Sequence, residues 1–484
     1  MSGLSLILQA ALACVLVVLA LLSLQLIVLS LVRWFWPARS VPVPKLADEH
    51  LPHVLVQLPV CNEGQLALRV VEAASKMDWP SDRLEIQLLD DGTAEAHEKL
   101  RHEARRVVPD EVNLVVLRRG NRSGFKAGNL AFGLAHSDAP YVAIFDADFV
   151  PPADFLRRTV PALTADPGLA FVQARWGHEN RARNWLTRAQ GLLLDSHFAV
   201  EQEARFRAGL PISFNGTAGV WNRRAIEHGG GWTGDTLTED LDLSLRCALK
   251  GWRAAILPDL EVPGQLPETA AAWRAQQARW TKGHAQVARK LLPTIFAARM
   301  PLWKKLALSF QICQFAFYVL AGLSASISIA LMWMGVTYLR PVAELGLGVT
   351  VIGVGASIGY LYMGQLMLGR GQERFLPQSL LLAIVFPSGL ILSNARATFE
   401  AFSDADPVFI RTPRAGEFAG GGWRGRPELA AGLMLPVFAL AEQAWSAPFF
   451  VFAAAGLVSV GAMGWIGSAG IARTEALHER SELI

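Results

Sequence analysis

The chain has 484 residues, 52% of them apolar and only 18% charged, with a positive mean hydropathy. That balance excludes an ordinary soluble enzyme and puts part of the chain in a bilayer, with enough length for a catalytic block between membrane blocks. The formal net charge of +3 is the small difference between 45 basic and 42 acidic residues, and it gives no reason to expect a nucleic acid partner.

Residues 4–32 are uncharged and, at 1.5 Å per residue, long enough to cross a hydrocarbon core of about 30 Å. They predict a membrane span rather than a cleaved leader: no basic residue precedes them, the apolar run is too long, and no small-residue cleavage site follows. Arg33, Trp34, Trp36, Arg39 and Lys45 then mark the cytoplasmic side, which leaves the N-terminus outside. From residue 53 to 267 the pattern changes. Short β-branched runs at 54–58, 84–89, 112–117 and 141–145 alternate with helical stretches, which predicts a parallel α/β sheet. Ligands of such sheets bind beyond the carboxyl ends of the strands, where this chain carries Asn62-Glu63, Asp90-Asp91-Gly92 and Asp146-Ala147-Asp148.

After residue 281, an amphipathic stretch with Leu291, Leu292, Ile295 and Phe296 leads to Trp303, Lys304 and Lys305, as in a helix lying in the interface plane. Residues 306–334 and 342–368 predict two spans. Residues 376–393 are apolar but short and broken by Pro387 and Gly389. Arginines flank them on both sides (Arg370, Arg374, Arg396, Arg411, Arg414), so they read as interfacial or re-entrant. Two last spans at 429–441 and 448–466 end in a tail with Arg473 and Arg480, inside. The predicted organisation is therefore an N-terminal membrane helix (1–40), a cytoplasmic catalytic domain (50–283), interfacial helices (284–305), two membrane helices (306–370), an interfacial helix and loop (371–426), and two membrane helices with a short tail (427–484).

Asp146 and Asp148 sit one residue apart at a strand end, which points both carboxylates to one face because side chains alternate with period two. Mg²⁺ or Mn²⁺ takes hard oxygens, commonly one or two protein carboxylates, with diphosphate and water completing its shell. Such a pair suits a nucleotide sugar, whose leaving diphosphate must have its charge neutralised, although surface turns carry the same tripeptide. Asp90 and Asp91 precede a Gly-Thr turn, where a carboxylate can contact base or ribose or simply form an Asx turn or helix cap. Lys126 offers a cation to phosphate or to a carboxylate, or is merely solvated. Glu239 and Asp240 open a helix, as a capping pair or as the site of the base that an inverting transfer needs; Asp240 is the candidate base. Gln276, Arg279 and Trp280 share one helical turn, where Arg suits diphosphate and Trp a sugar face, unless they are interfacial anchors. Trp176, Trp221 and Trp232 are either core or sugar platforms. Cys14, Cys61, Cys247 and Cys313 lie far apart without ligand spacing, which argues against disulfides and structural zinc.

In their order, these motifs resemble the processive family 2 glycosyltransferases of the cellulose synthase superfamily. The resemblance runs from Pro59-Val60-Cys61-Asn62-Glu63 through Lys126-Ala127-Gly128-Asn129 and Thr238-Glu239-Asp240 to Gln276-Gln277-Ala278-Arg279-Trp280. Val172-Gln173-Ala174-Arg175-Trp176 and Phe214-Asn215-Gly216-Thr217-Ala218-Gly219 are most similar to cellulose synthase-like mannan and glucan synthases and their bacterial relatives. The resemblance implies a GT-A-type (Rossmann-like) cytoplasmic catalytic domain inserted in an α-helical transmembrane domain. It also implies synthesis of a β-linked polysaccharide from UDP-glucose or GDP-mannose, with a growing glycan and the lipid bilayer as partners, while the arginine- and alanine-rich composition suits a plasma membrane such as a bacterial inner membrane. The alternative is single addition to a ceramide or polyprenyl-phosphate lipid. On this resemblance Glu239 and Asp240 are catalytic, and Glu63, Asp90, Asp91, Lys126, Asp146, Asp148 and Arg279 bind the donor. Asp146 and Asp148 hold Mg²⁺ or Mn²⁺, and Asn215, Gly216, Gln276 and Trp280 contact the acceptor. Phe409-Ile410-Arg411-Thr412-Pro413-Arg414 resembles the family's gating loop, with Arg411 in place of a valine and Arg414 in place of a lysine, so Phe409, Thr412 and Arg414 would close over the donor.

Overall fold

The computed structural model describes residues 2–403, 425–441 and 453–465. The gating-loop candidates Phe409, Thr412 and Arg414, and parts of both last predicted spans, lie outside the described residues. Helix α1 (Gly3–Phe35) leads into a seven-stranded sheet ordered β3-β2-β1-β4-β6-β5-β7. The strands are β1 (Val54–Val60), β2 (Leu84–Asp90), β3 (Asn113–Arg118), β4 (Tyr141–Ile144), β5 (Leu169–His178), β6 (Gly219–Asn222) and β7 (Arg253–Gly264). All seven residues of β1 are buried, as a strand covered on both faces requires.

The sheet is mixed rather than parallel, which corrects the expectation from periodicity. β6 runs antiparallel to both β4 and β5, while the β3-β2-β1-β4 half is parallel. Periodicity reports burial, not direction, so the reversal has no sequence signal. The linking helices are α2 (Gly64–Ser75), α3 (Ala94–Val107), α4 (Phe125–Leu134), α5 (Phe155–Ala165), α6 (Trp185–Ser196), α7 (Glu203–Arg207), α8 (Arg223–Gly229) and α9 (Glu239–Leu249). Between α6 and α7, His197–Gln202 winds as a π-helix.

Next come α10 (Ala270–Ala297), α11 (Leu302–Ile312), α12 (Ala316–Trp333), α13 (Arg340–Met367), α14 (Leu376–Ser388), α15 (Ile391–Glu400) and α16 (Arg426–Ala441), with a further apolar helix at Ala453–Trp465. The expected boundary at 283/284 falls inside the continuous α10. The expected single span over 306–334 is two helices, because the chain turns at Cys313, where α11 is capped. By length and composition α1, α12 and α13 can cross a membrane; α14 and α15 pass that test only together and are bent by 45°.

α1 packs on α12 and α13 and is tied to the sheet domain: Arg33 donates to the Ala199 carbonyl at 2.8 Å, and Arg207 donates to the carbonyl of Arg33 at 3.1 Å. A second tie is the carboxylate of Asp195 on α6, which is fully buried. It accepts from Arg181, from Gln365 on α13 (3.2 Å) and from Arg370 just beyond it (3.0 Å). Removing one partner of a buried ion network costs about 3–5 kcal/mol, because the remaining charges stay desolvated. Asp195→Ala should therefore lower the thermal unfolding midpoint of the detergent-solubilised protein by many degrees, whereas Asp48→Ala, on an exposed ion pair, should leave it nearly unchanged.

Candidate active site

The loops after β1, β2 and β4 open on one cavity of about 650 Å³. Its lining includes Glu63, Asp91, Lys126, Asp146, Asp148, Asn215, Gly216, Glu239, Asp240, Gln276, Arg279 and Trp280. The candidates drawn from seven separate stretches of sequence thus meet in one place. Asp90 does not line it: it is buried, with Oδ1 accepting from the Gly92 amide at 2.7 Å and Oδ2 3.0 Å from His97 Nδ1. That is the Asx-turn reading, with the cap of α3 supplied by Thr93, whose hydroxyl accepts from the Ala96 amide. Asp91 is the member of the pair that reaches the cleft.

Asp91 is held by a guanidinium that sequence reasoning missed. Arg119 donates to it through Nε (2.7 Å) and Nη2 (2.6 Å), a bidentate pair, and also to the carbonyls of Ser123 and Phe125. This pins the loop that starts α4, where Gly124 and Phe125 both take positive φ and turn Lys126 inward. Lys126 Nζ then bridges Asp146 Oδ1 (2.5 Å) and the Gly216 carbonyl (2.9 Å). Burial works against its charge, but the carboxylates of Asp146, Glu239 and Asp240 outweigh burial and hold the ammonium above its ordinary value.

Asp146 and Asp148 lie just past β4 rather than on it, so the expected strand alternation does not orient them. The Phe149 amide donates to the Asp146 carbonyl at 2.9 Å, closing a turn that leaves the Asp146 side chain about one third exposed and Asp148 buried. No group of three or more His, Cys, Asp or Glu that could hold a metal occurs among the described residues. Two hard carboxylates without a third ligand do not make a closed zinc-type site. They fit Mg²⁺ or Mn²⁺ that completes its shell with diphosphate oxygens and water.

Glu239 and Asp240 form the first turn of α9, behind Thr238, whose hydroxyl makes no cap hydrogen bond. The helix start is therefore not a capping box. Burial, and next the Glu239 charge, push the Asp240 carboxyl up to about 7, even though the Leu241 amide donates to it at 2.8 Å. Burial also raises Glu239. Gly216, at φ +82°, is required here: a Cβ would stand 3.0 Å from Asp240 Oδ2. Gln276, Arg279 and Trp280 are brought in by α10, which crosses α9 closely enough that a Cβ on Gly283 would meet Thr238 Cγ2 at 2.5 Å. Of the three tryptophans, Trp221 and Trp232 are core, and Trp176 is in the cleft wall, 5.0 Å from the Phe149 ring. No disulfide joins the four cysteines. Sequence reasoning also missed His197 and Glu201 of the π-helical turn, and His284, all in the lining. For Glu201 the Glu-Gln-Glu run at 201–203 was the one available signal, and His197 and His284 had none.

A mixed sheet with carboxylates beyond β1, β2 and β4 around one cleft defines a GT-A-like α/β domain. Residues 141–341 match the family model described as glycosyl transferase family group 2. It is 42% identical over 292 residues to glucomannan 4-beta-mannosyltransferase 1 of Oryza sativa subsp. japonica, covering 57% of this chain and 56% of the relative. It is 44% identical over 259 residues to glucomannan 4-beta-mannosyltransferase 7 of Arabidopsis thaliana, covering 52% and 47%. The chain thus spans about half the length of the curated relatives it matches. Among solved structures, the mannosyltransferase PcManGT from Pyrobaculum calidifontis, in complex with GDP-Man and Mn²⁺, shares the fold. Its TM-score is 0.51 and its identity 22%, over 76% of this chain and 99% of that one.

The raised Asp240 value has a thermodynamic sign. A carboxyl that holds its proton more tightly when folded contributes stability in full below its ordinary value of 3.8, and that contribution is lost as pH climbs through about 7. Asp240→Asn should thus unfold at a higher temperature than the parent at pH 8, with the gain shrinking towards pH 5. Equal midpoints at pH 8 would show that the carboxylate is not strained by its surroundings.

Proposed function

We propose that this chain is a membrane-embedded, inverting hexosyltransferase that extends a β-linked mannan or glucan from a nucleotide-diphosphate hexose and passes the product between its apolar helices. The observation that carries this reading is the extent of the cavity. The same 650 Å³ space is lined by Asp146, Asp148 and Asp240 and by Leu26, Tyr318, Tyr360 and Pro387 of α1, α12, α13 and α14. An acceptor lying among those helices has its end at the carboxylates without leaving the protein. The relatives are named as glucomannan 4-beta-mannosyltransferases, which favours GDP-mannose over UDP-glucose as donor.

In this reading α1, α12 and α13 span the bilayer, the bent pair α14 and α15 lies at its cytoplasmic face, and the sheet domain is cytoplasmic in a plasma membrane. Asp91 and Glu63 contact the nucleoside, and Asp90 fixes the turn from which Asp91 projects. Lys126 and Arg279 face the diphosphate, and Asp146 and Asp148 would hold Mg²⁺ or Mn²⁺, whose charge offsets that of the departing diphosphate. Gln276, Trp280, Asn215 and Gly216 hold the acceptor sugar, and Phe409, Thr412 and Arg414 close over the donor. Asp240 removes the proton of the acceptor hydroxyl as its oxygen attacks the anomeric carbon from the face opposite the diphosphate. A base whose value lies near 7 is half ionised at neutral pH and still basic enough to take the proton. Glu239 keeps that value high.

The test uses full-length protein in lipid vesicles with Mn²⁺ or Mg²⁺ and radiolabelled GDP-mannose or UDP-glucose, with sizing of the product. A polymer cleaved by a β-mannanase supports the reading. A single labelled lipid would replace it with transfer to a lipid acceptor, for which the apolar lining of the cavity also has room. Asp240→Asn should lower turnover by about 10² to 10⁴ while leaving donor binding within a few fold. Glu239→Gln removes the neighbouring negative charge, so the acid limb of its pH–rate profile should move below the parent's limb near pH 7.

A further inference from the structure

His197 and Glu201 line the cleft but have no role in the steps above. The π-helical turn His197–Gln202 interrupts the run from α6 to α7. Such single turns are uncommon and cluster at functional sites, because the inserted residue redirects side chains. Here it puts both His197 and Glu201 in the cavity lining, and it sets Gln202 against the loop that carries Asn215. Glu201 is held from behind by Arg205 Nε (3.2 Å) and Gln314 Nε2 (3.3 Å). Burial opposes its charge, but His197 and Arg205 prevail and keep the carboxyl at about 2.

The hydrogen bonds of this network run in one direction only. An ionised carboxylate can only accept, so His197 Nδ1, 3.1 Å from Glu201 Oε2, carries the ring proton and Nε2 is left as an acceptor. Asn215 Nδ2 donates to that Nε2 at 2.9 Å. The reversed amide is blocked, since Asn215 Oδ1 accepts from Gln202 Nε2 at 2.7 Å, and the Gln202 amide is itself fixed by both backbone groups of Ser213. The second Nδ2–H of Asn215 has no partner among the described residues. Asn215 lines the cleft next to Gly216, whose missing Cβ would stand 3.0 Å from Asp240.

We propose that His197 is a positioning residue for the acceptor: it locks the Asn215 amide so that its remaining N–H binds a hydroxyl of the incoming sugar beside Asp240. The inference rests on the saccharide-transferring reading above and adds a residue that acts only on the acceptor side. Glu201 serves it by fixing the tautomer, and the π-helical turn by bringing it within reach of Asn215.

The experiment measures transfer from GDP-mannose to β-1,4-mannotriose by the full chain in vesicles, varying each substrate in turn, with GDP affinity measured alongside. His197→Ala should raise the KM for mannotriose about tenfold, the value of one lost hydrogen bond, with the KM for GDP-mannose and the GDP affinity within about twofold of the parent. His197→Gln puts an amide oxygen near the position of Nε2 and should recover most of the loss. A parallel rise in both KM values, an unmoved mannotriose KM, or a glutamine variant as impaired as the alanine one would each overturn the proposal. A parent protein that transfers nothing to mannotriose would instead overturn the mannan form of the saccharide reading, and this inference with it.

Discussion

Three carboxylates, Asp146, Glu239 and Asp240, surround one ammonium, that of Lys126. Two like charges 4 Å apart repel by about 4 kcal/mol at an effective dielectric of 20, so such a cluster needs a cation at its centre. Lys126 reaches that position because the loop before α4 is bent through two positive-φ residues, and the loop keeps its bend because Arg119 grips two of its carbonyls. The same guanidinium holds Asp91. A single arginine at the end of β3 therefore sets the Asp91 side of the cleft and, through Lys126, its Asp146 side. The Gly216 carbonyl, the second acceptor of Lys126, brings in the loop after α7.

The cleft is thus a place where local stability is surrendered for chemistry. Asp240 would be an ordinary acid if it faced water; enclosed beside Glu239 its carboxyl is pushed up to about 7, the value the proposed base needs at neutral pH. What contains this strain is a rigid frame, with β1 buried along its whole length, α1 tied to the sheet domain through Arg33 and Arg207, and α6 tied to α13 through Asp195.

Much of the candidate site was legible in the sequence because its polar groups lie at strand ends, which apolar runs reveal whatever the strand direction. Asp91, Asp146, Asp148 and Asp240 follow such runs or open a helix, and all four line the cavity. Direction itself was not legible: β6 has four residues, and nothing in Gly-Val-Trp-Asn says that it opposes its neighbours. Hydropathy also ran straight through the break between α11 and α12, since the turn at Cys313 carries no charge, glycine or proline. Asp90 and Asp91 looked equivalent, and only the position of His97, one turn into α3, decides which of them turns away from the cleft. Arg119 and His197 had no local signature. Their importance comes from partners 28 and 18 residues away, which one-dimensional patterning does not register.

The close crossing of α9 and α10 has an evolutionary consequence. Gly283 and Thr238 occupy nearly the same space, one on the helix that carries Gln276 to Trp280 and the other at the start of the helix that carries Asp240. Neither position can grow without the other shrinking or the two helices parting. In descendants of this sequence, residues 238 and 283 are therefore expected to change together or not at all, whatever happens to the residues around them.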